Sequence, residues 1–290
     1  MNFIFWYIGN CESMLLLLSG WEGEIRFMID IHTHVLPGID DGAANWDEAL
    51  GLARAAAAEG ITDLIATPHH GDGTYVNPAG AVTALVDEMN LKLVEEALPI
   101  KVHSGQEIHV RQDLLEQWQD SRSLLGLAGK RYALLEMPSS RIPTDMKEFV
   151  YELHLLGVRA VIAHPERNAE VVRHPERLEE LVELGAYAQV TSHSLLGGFG
   201  RGIERSAWML CGRGLIHFIA SDAHHLDWRG FRLAEAYEKA AETLGREWAD
   251  YYADNAKRLL RGQEIGLPPA SDALKQKTGW RAIKSLFYPK

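Results

Sequence analysis

Two histidines one residue apart, His32 and His34, end the segment Asp30-Ile31-His32-Thr33-His34, and an acidic pair, Asp40-Asp41, follows closely. Residues at i and i+2 of an extended strand point to the same side. Two imidazoles so placed can grip one cation, since neutral imidazole nitrogen is a good ligand for Zn, Mn and Fe. Alone, His-x-His serves equally well as a pair of core or surface residues. The same residue types recur, however, in Thr67-Pro68-His69-His70, Gly105-Gln106-Glu107, Glu136-Met137-Pro138, His164-Pro165-Glu166-Arg167 and Ser221-Asp222-Ala223-His224. Mixed His and carboxylate donors without Cys suit Mn, Fe or Zn, and so many of them suggest two or three ions that share ligands.

These motifs need elements to position them. Apolar, β-rich runs at 25–31, 61–66, 100–104, 132–135, 158–163, 186–190 and 215–220 read as strands,. Helical patterns alternate with them at 46–59 (closed by Gly60), 78–97, 111–121, 144–156, from the Pro175 start, and at 203–213, 231–244 and 247–260,. Repeated β-α units without a composition break predict one α/β domain over 28–290, built on a parallel sheet that closes as a seven-stranded barrel,. A doubly wound open sheet is the alternative. Either fold puts its ligand site at the carboxyl ends of the strands. There lie His32, His34, His69, Glu107, Glu136, His164, Asp222 and His224, at the ends of strands one to five and seven.

The chain has 290 residues, 47% of them hydrophobic, enough for a sizeable core,. A net charge of −11 argues against a general nucleic-acid or anionic-membrane binder,. Two cysteines, Cys11 and Cys211, make neither a disulfide framework nor a thiolate metal site, which fits a reducing cytoplasm,. The first 27 residues differ in character. Their apolar run at 14–18 is far too short to span a membrane and lacks the pattern of a signal peptide, so the expectation is an N-terminal extension read from a start upstream of Met28,. The tail beyond Gly266 is polar, with a possible short closing element at 280–287.

Taken together, Asp30-Ile-His-Thr-His, Thr67-Pro-His, Gly105-Gln-Glu, Leu135-Glu-Met, His164-Pro-Glu-Arg and Ser221-Asp-Ala-His resemble the polymerase-and-histidinol-phosphatase (PHP) superfamily. Asp40-Asp41-Gly42 and His164-x-x-Arg167 make the chain similar to the capsular-polysaccharide type of bacterial tyrosine-protein phosphatase. The resemblance, from Met28 to about Leu260, implies a distorted TIM-like (β/α)7 barrel with a trinuclear, usually Mn-dependent site. By it, His32, His34, Glu107 and Asp222 hold the first ion, and Glu107 bridges to a second held by Glu136 and His164. Asp41, His69 and His224 hold the third, and Arg167 and Arg229 bind the substrate phosphate. It also implies a phosphotyrosine protein as substrate, namely a bacterial tyrosine autokinase that governs capsule or exopolysaccharide export.

Neighbouring residues read more plainly. His69 is preferred to His70 because it follows Thr67-Pro68 directly, and His70 and His225 are equally well neighbours of the site or exposed. His109 lines the pocket or faces solvent, His103 packs in mid-strand, His174 starts a helix, His193 edges the site without a ligand role, and Arg141 is a solvated loop charge. Neither cysteine has Arg six residues on, which closes the Cys-x5-Arg phosphatase route. Among rival classes, a histidinol-phosphate phosphatase shares the site, a PHP nuclease needs a basic track, a non-catalytic scaffold has no need of a full ligand set, and a metal amidohydrolase has no use for the two arginines. The oligomeric state is not encoded legibly.

Overall fold

The computed structural model describes residues 28–111, 113–119 and 124–269. The expectations for 1–27 and 280–287 lie outside the described residues. Parallel strands alternate with helices throughout. β1 (Met28–Thr33), β2 (Ile61–Ala66) and β4 (Lys101–Ser104) form one sheet in the order β1-β2-β4. The second runs β3-β5-β6-β7-β8-β9, with β3 at His69–His70, β5 at Glu107–His109, β6 at Tyr132–Glu136, β7 at Arg159–Ala163, β8 at Tyr187–Thr191 and β9 at Phe218–Ala220.

Nine strand segments therefore stand among the described residues where seven strands were expected. The reason is local. Pro68 has no N–H to give a ladder, so the chain breaks at Thr67-Pro68 and resumes as β3, and it breaks again at Gly105-Gln106 before β5. Thr67 N–H donates to Thr33 O (2.8 Å) and Glu107 N–H to Pro68 O (3.1 Å), so both breaks stay pinned to their neighbours. Beyond β9, Ala223 bridges back to Thr33 in parallel, with His34 N–H on Ala223 O at 2.8 Å and Asp222 N–H on His32 O at 2.9 Å.

Alternate strand residues feed two apolar layers, as the pleat requires. Ile29, Ile31, Leu134, Val161 and Phe218 pack in one cluster with Ala256 and Leu259 from the helix Arg246–Leu260. Ala133, Leu135, Ile162 and Ile219 face the other, against helices such as Trp46–Ala58 and Leu233–Leu244. Trp46–Ala58 starts where expected because the Asn45 side chain accepts from Glu48 N–H,. Of the helix expected at 111–121, Leu114–Gln119 is helical among the described residues, and only Phe218–Ala220 of the run at 215–220 pairs as strand. No helix among the described residues is long and apolar enough to cross a membrane.

Far from the charged strand ends, His217 is buried. Its Nδ1 accepts from Ala188 N–H (3.2 Å) and its carbonyl accepts from Asn255 Nδ2 (3.0 Å), while burial pulls the imidazole down to about 4. An unfolded histidine titrates at about 6.5. The folded state thus keeps this group neutral where the unfolded state takes a proton. The contribution is fully present above the unfolded value and is lost as pH falls from there towards the folded value. At pH 5 the loss amounts to about 2 kcal/mol. In His217→Asn, whose amide oxygen can replace Nδ1 as acceptor without titrating, denaturant unfolding at pH 7.5 and pH 5 should differ by that much less than in the parent. An equal pH difference in both proteins would remove His217 from the acid response.

Candidate metal and phosphate site

A β-bulge aims the first two histidines. Between the pairs Asp30–Leu64 and Thr33–Ala66, β1 spends one residue more than β2,. His32 and His34 emerge on one side with their Nε2 atoms 3.2 Å apart. Glu107 Oε2 lies 3.2 Å from His32 Nε2 and 3.3 Å from His34 Nε2, and Asp222 Oδ1 repeats those two distances. Donor atoms 3.2–3.3 Å apart have the spacing of neighbouring ligands on one divalent cation,. Glu107 Oε2, Asp222 Oδ1, His69 Nδ1 and His224 Nε2 are buried with no hydrogen-bond partner. Such orphaned, convergent donors fit a cation rather than a hydrogen-bond network.

Two more groups adjoin this one. His34, Asp41, His69 and His224 offer donor atoms within 4.8 Å of one another, and so do His69, Glu107 and Glu136. Asp41 Oδ1 lies 3.2 Å from His224 Nε2 and 3.4 Å from His69 Nε2. His164 Nε2 sits 2.8 Å from Glu107 Oε1 and 3.9 Å from Glu136 Oε1. All nine candidate ligands are thereby brought together, although His69 faces Glu107 with one ring nitrogen and Asp41 with the other.

The surroundings fix which nitrogen each histidine presents. His34 Nδ1–H donates to Asp40 Oδ2 (2.7 Å), His32 Nδ1–H to Gln189 Oε1 (3.1 Å) and His224 Nδ1–H to the Asp222 carbonyl (2.9 Å). With Nδ1 so engaged, Nε2 of all three rings faces the cluster, as is usual behind metal-binding histidines,. Gly42 lets the Asp40-Asp41 loop close over His34: a Cβ there would stand 2.0 Å from the His34 carbonyl oxygen. His164 (φ 32) and Asp222 (φ 57) hold left-handed conformations at the ends of β7 and β9, a local strain of the kind that gathers at functional sites,.

Charge within the cluster is mutual. Burial opposes a charge on Glu107 and on Asp222, yet the histidines around Glu107, and His32, Arg167 and Arg229 around Asp222, hold both carboxyls well below the usual range. Burial likewise opposes a proton on His69, but Asp41 and Glu107 lift it to about 10, and Asp40 foremost lifts His34 well above the imidazole value. His224, pressed by burial and by His34, falls to about 4.

The two arginines meet the cluster through one atom. Arg167 Nη2 donates to Asp222 Oδ2 at 2.5 Å, and Arg229 Nη2 donates to the same oxygen. A pocket of about 150 Å³ opens alongside, lined by Glu136, His164 and Arg167 among others. The remaining guanidinium N–H groups could pair with an anion of suitable shape.

Residues 28–261 match the model of a family described as capsular polysaccharide synthesis, CpsB/CapC. The chain belongs to the CpsB/CapC family. The tyrosine-protein phosphatase YwqE of Bacillus subtilis is 41% identical to it over 250 residues, which cover 86% of this chain and 98% of YwqE. The putative tyrosine-protein phosphatase CapC of Staphylococcus aureus is 35% identical over the same shares. Among solved structures, the work on YwqE from Bacillus subtilis and CpsB from Streptococcus pneumoniae, described as unique metal-dependent tyrosine phosphatases, includes a chain that superposes with a TM-score of 0.81. It is 42% identical and covers 84% of this chain and 98% of that one.

In this CpsB/CapC chain the other histidines take distinct places. His70 is buried with Nδ1 at the Asn77 backbone, off the cluster, while His109 Nδ1 lies 3.4 Å from Glu136 and lines the site. His103 pairs with Asp63 (2.7 Å), His174 with Glu176 on the surface, and the His225 ring lies tilted against Trp228. Arg141 is exposed, as expected of a loop charge. Asp40, Gln189 and Asp30 were not foreseen as supports. Asp30 accepts from His32 N–H and Ser221 N–H, so one buried carboxylate ties the two strand ends, and burial pushes it up to about 6. A polar Gln189 inside an otherwise apolar strand was the available signal for its role.

Cys211 is buried, and burial pushes its thiol up to about 12. Such a thiol is inert. Cys211→Ala should keep phosphatase turnover within about twofold of the parent, since no nucleophile is lost. A loss of several orders of magnitude in a folded variant would reopen a cysteine mechanism.

Proposed function

We propose that this chain is a metal-dependent protein-tyrosine phosphatase, a phosphoric monoester hydrolase. The observation that carries the reading is Asp222, whose Oδ1 faces His32 and His34 while Oδ2 accepts from Arg167 and Arg229. One carboxylate so joins cation-binding groups to phosphate-binding groups. An amide offers the two guanidinium groups a single neutral oxygen where a phosphoryl group offers several anionic ones, which counts against an amidohydrolase. The names of the relatives favour phosphotyrosine over histidinol phosphate.

In this reading His32, His34, Glu107 and Asp222 would hold one ion, Glu136 and His164 together with Glu107 a second, and Asp41, His69 and His224 a third. The resemblance favours Mn, and the donor set also suits Fe or Zn. When bound, such cations acidify water and neutralise phosphoryl oxygens. Arg167 and Arg229 grip the transferring group in two-toothed fashion and keep it aligned. Asp222 orients both guanidinium groups, and Asp40 and Gln189 hold the histidine rings in place. A tyrosyl leaving group, with a pKa of about 10, departs with little protonation.

The barrel belongs to the same proposal. With β2–β3 and β4–β5 each taken as one interrupted strand and the Thr33–Ala223 bridge as the seam, residues 28–261 form one seven-stranded (β/α) barrel. The substrate is a phosphotyrosine protein of the capsule machinery in the cytoplasm, a tyrosine autokinase. Manganese-loaded protein should turn over a phosphotyrosine peptide with a kcat/KM at least about tenfold above that for histidinol phosphate. The reverse preference would assign the site to a small-molecule phosphatase.

A further inference from the structure

Between the helices Ser192–Leu195 and Arg201–Gly212 the chain turns through Gly197-Gly198-Phe199-Gly200. Gly197 (φ 75) and Gly200 (φ 89) sit where side chains are disfavoured, and a Cβ on Gly198 would stand 3.0 Å from the His193 ring. The turn therefore presents a single side chain, Phe199. Its ring centroid lies 5.3 Å from Arg167 Cζ and 6.0 Å from Arg229 Cζ. Phe199 is only partly buried and belongs to neither hydrophobic cluster among the described residues. A phenyl ring that no core requires, carried by a glycine-built turn to the edge of both arginines, calls for an occupant.

We infer that Phe199 is the surface against which the substrate's aryl ring packs, and that it selects aryl over alkyl phosphate monoesters. This rests on the phosphatase reading above. The ring of an aryl phosphate begins two bonds from phosphorus. A phosphoryl group held by the two guanidinium groups therefore carries its ring into the ~4.5–7 Å range at which aromatic rings pair, edge-on or offset. A serine phosphate has no ring to offer, and an alkyl phosphate that bears one carries it further from phosphorus. The contact of the phenyl face with the guanidinium groups also steadies the arginines, so the test must separate the two effects.

The probes are benzylphosphonate and methylphosphonate, which share the anion and differ in the ring. Their binding to the manganese-loaded full chain is measured by calorimetry, alongside turnover of a phosphotyrosine peptide by the parent. Phe199→Leu should bind benzylphosphonate about three- to tenfold more weakly, the usual worth of an aromatic pair. Methylphosphonate should lose clearly less, only the share that the phenyl–guanidinium contact gives the arginines, while metal content stays at the parental level and Phe199→Tyr restores the aryl preference. Equal losses for both probes would mean that Phe199 acts only through the arginines and would overturn the inference. So would unchanged affinity for both in Phe199→Leu. If the metal-loaded parent binds neither phosphonate and leaves the peptide intact, the phosphatase reading itself fails and takes this inference with it.

Discussion

Glu107→Gln is expected to lose at least ~10³-fold in phosphotyrosine turnover and to retain fewer metal ions than the parent. The Glu107 carboxylate reaches four of the other proposed ligands. Its Oε2 lies 3.2 Å from His32, 3.3 Å from His34 and 3.1 Å from His69, and its Oε1 lies 2.8 Å from His164. Glutamine keeps the shape but removes the charge and turns one acceptor into a donor aimed at neighbouring ligands. In a fully buried position, an unbalanced charge of this kind costs ~3–5 kcal/mol. The loss should appear in metal content by elemental analysis as well as in rate, while circular dichroism stays that of a folded α/β protein. His34→Ala should behave alike, and chelation of the parent should abolish turnover that Mn then restores. A Glu107→Gln protein with a full metal complement and the parental rate would refute the shared-ligand assignment.

The strand ends were legible because their chemistry is conspicuous. Histidines and carboxylates that close apolar runs have few other reasons to be there, and all nine candidate ligands and both arginines converge. The preference for His69 over His70 has a physical basis in the ladder: β3 pairs His69 with Glu107 and His70 with Ile108. Periodicity hid the rest. A strict alternation along β1 carries no sign of the bulge that aims His32 and His34. The breaks at Thr67-Pro68 and Gly105-Gln106 interrupt strands that look continuous in composition. His164 and Asp222 adopt left-handed backbone angles that composition does not announce, and Asp222 is tied there by its N–H to His32 O. Within Asp40-Asp41 the letters are equal. The close approach of Gly42 to His34 decides that Asp40 turns back to the ring and Asp41 faces His69 and His224.

Arg167→Lys and Arg229→Lys should each cost ~2–4 kcal/mol at the transition state, roughly thirtyfold to a thousandfold in kcat/KM, without loss of metal. Each guanidinium already spends one Nη2 on Asp222 Oδ2. Its planar fork leaves further N–H groups for phosphoryl oxygens, and the Nε of both arginines is buried without a hydrogen-bond partner. Lysine carries a single ammonium on a flexible stem. It can stay with Asp222 or reach for the phosphate, but cannot present a rigid edge to one while held by the other. The Asp222 carboxylate keeps a positive neighbour in either variant, so its face towards His32 and His34 should be preserved and metal analysis should match the parent. The double variant should lose less than the product of the two single losses, because both side chains lean on the same oxygen and residues that share a partner are not independent. Parental turnover of phosphotyrosine peptide by both lysine variants, with metals intact, would show that these arginines are not the phosphate clamp. A fall in metal content would instead move them into the assembly of the metal site.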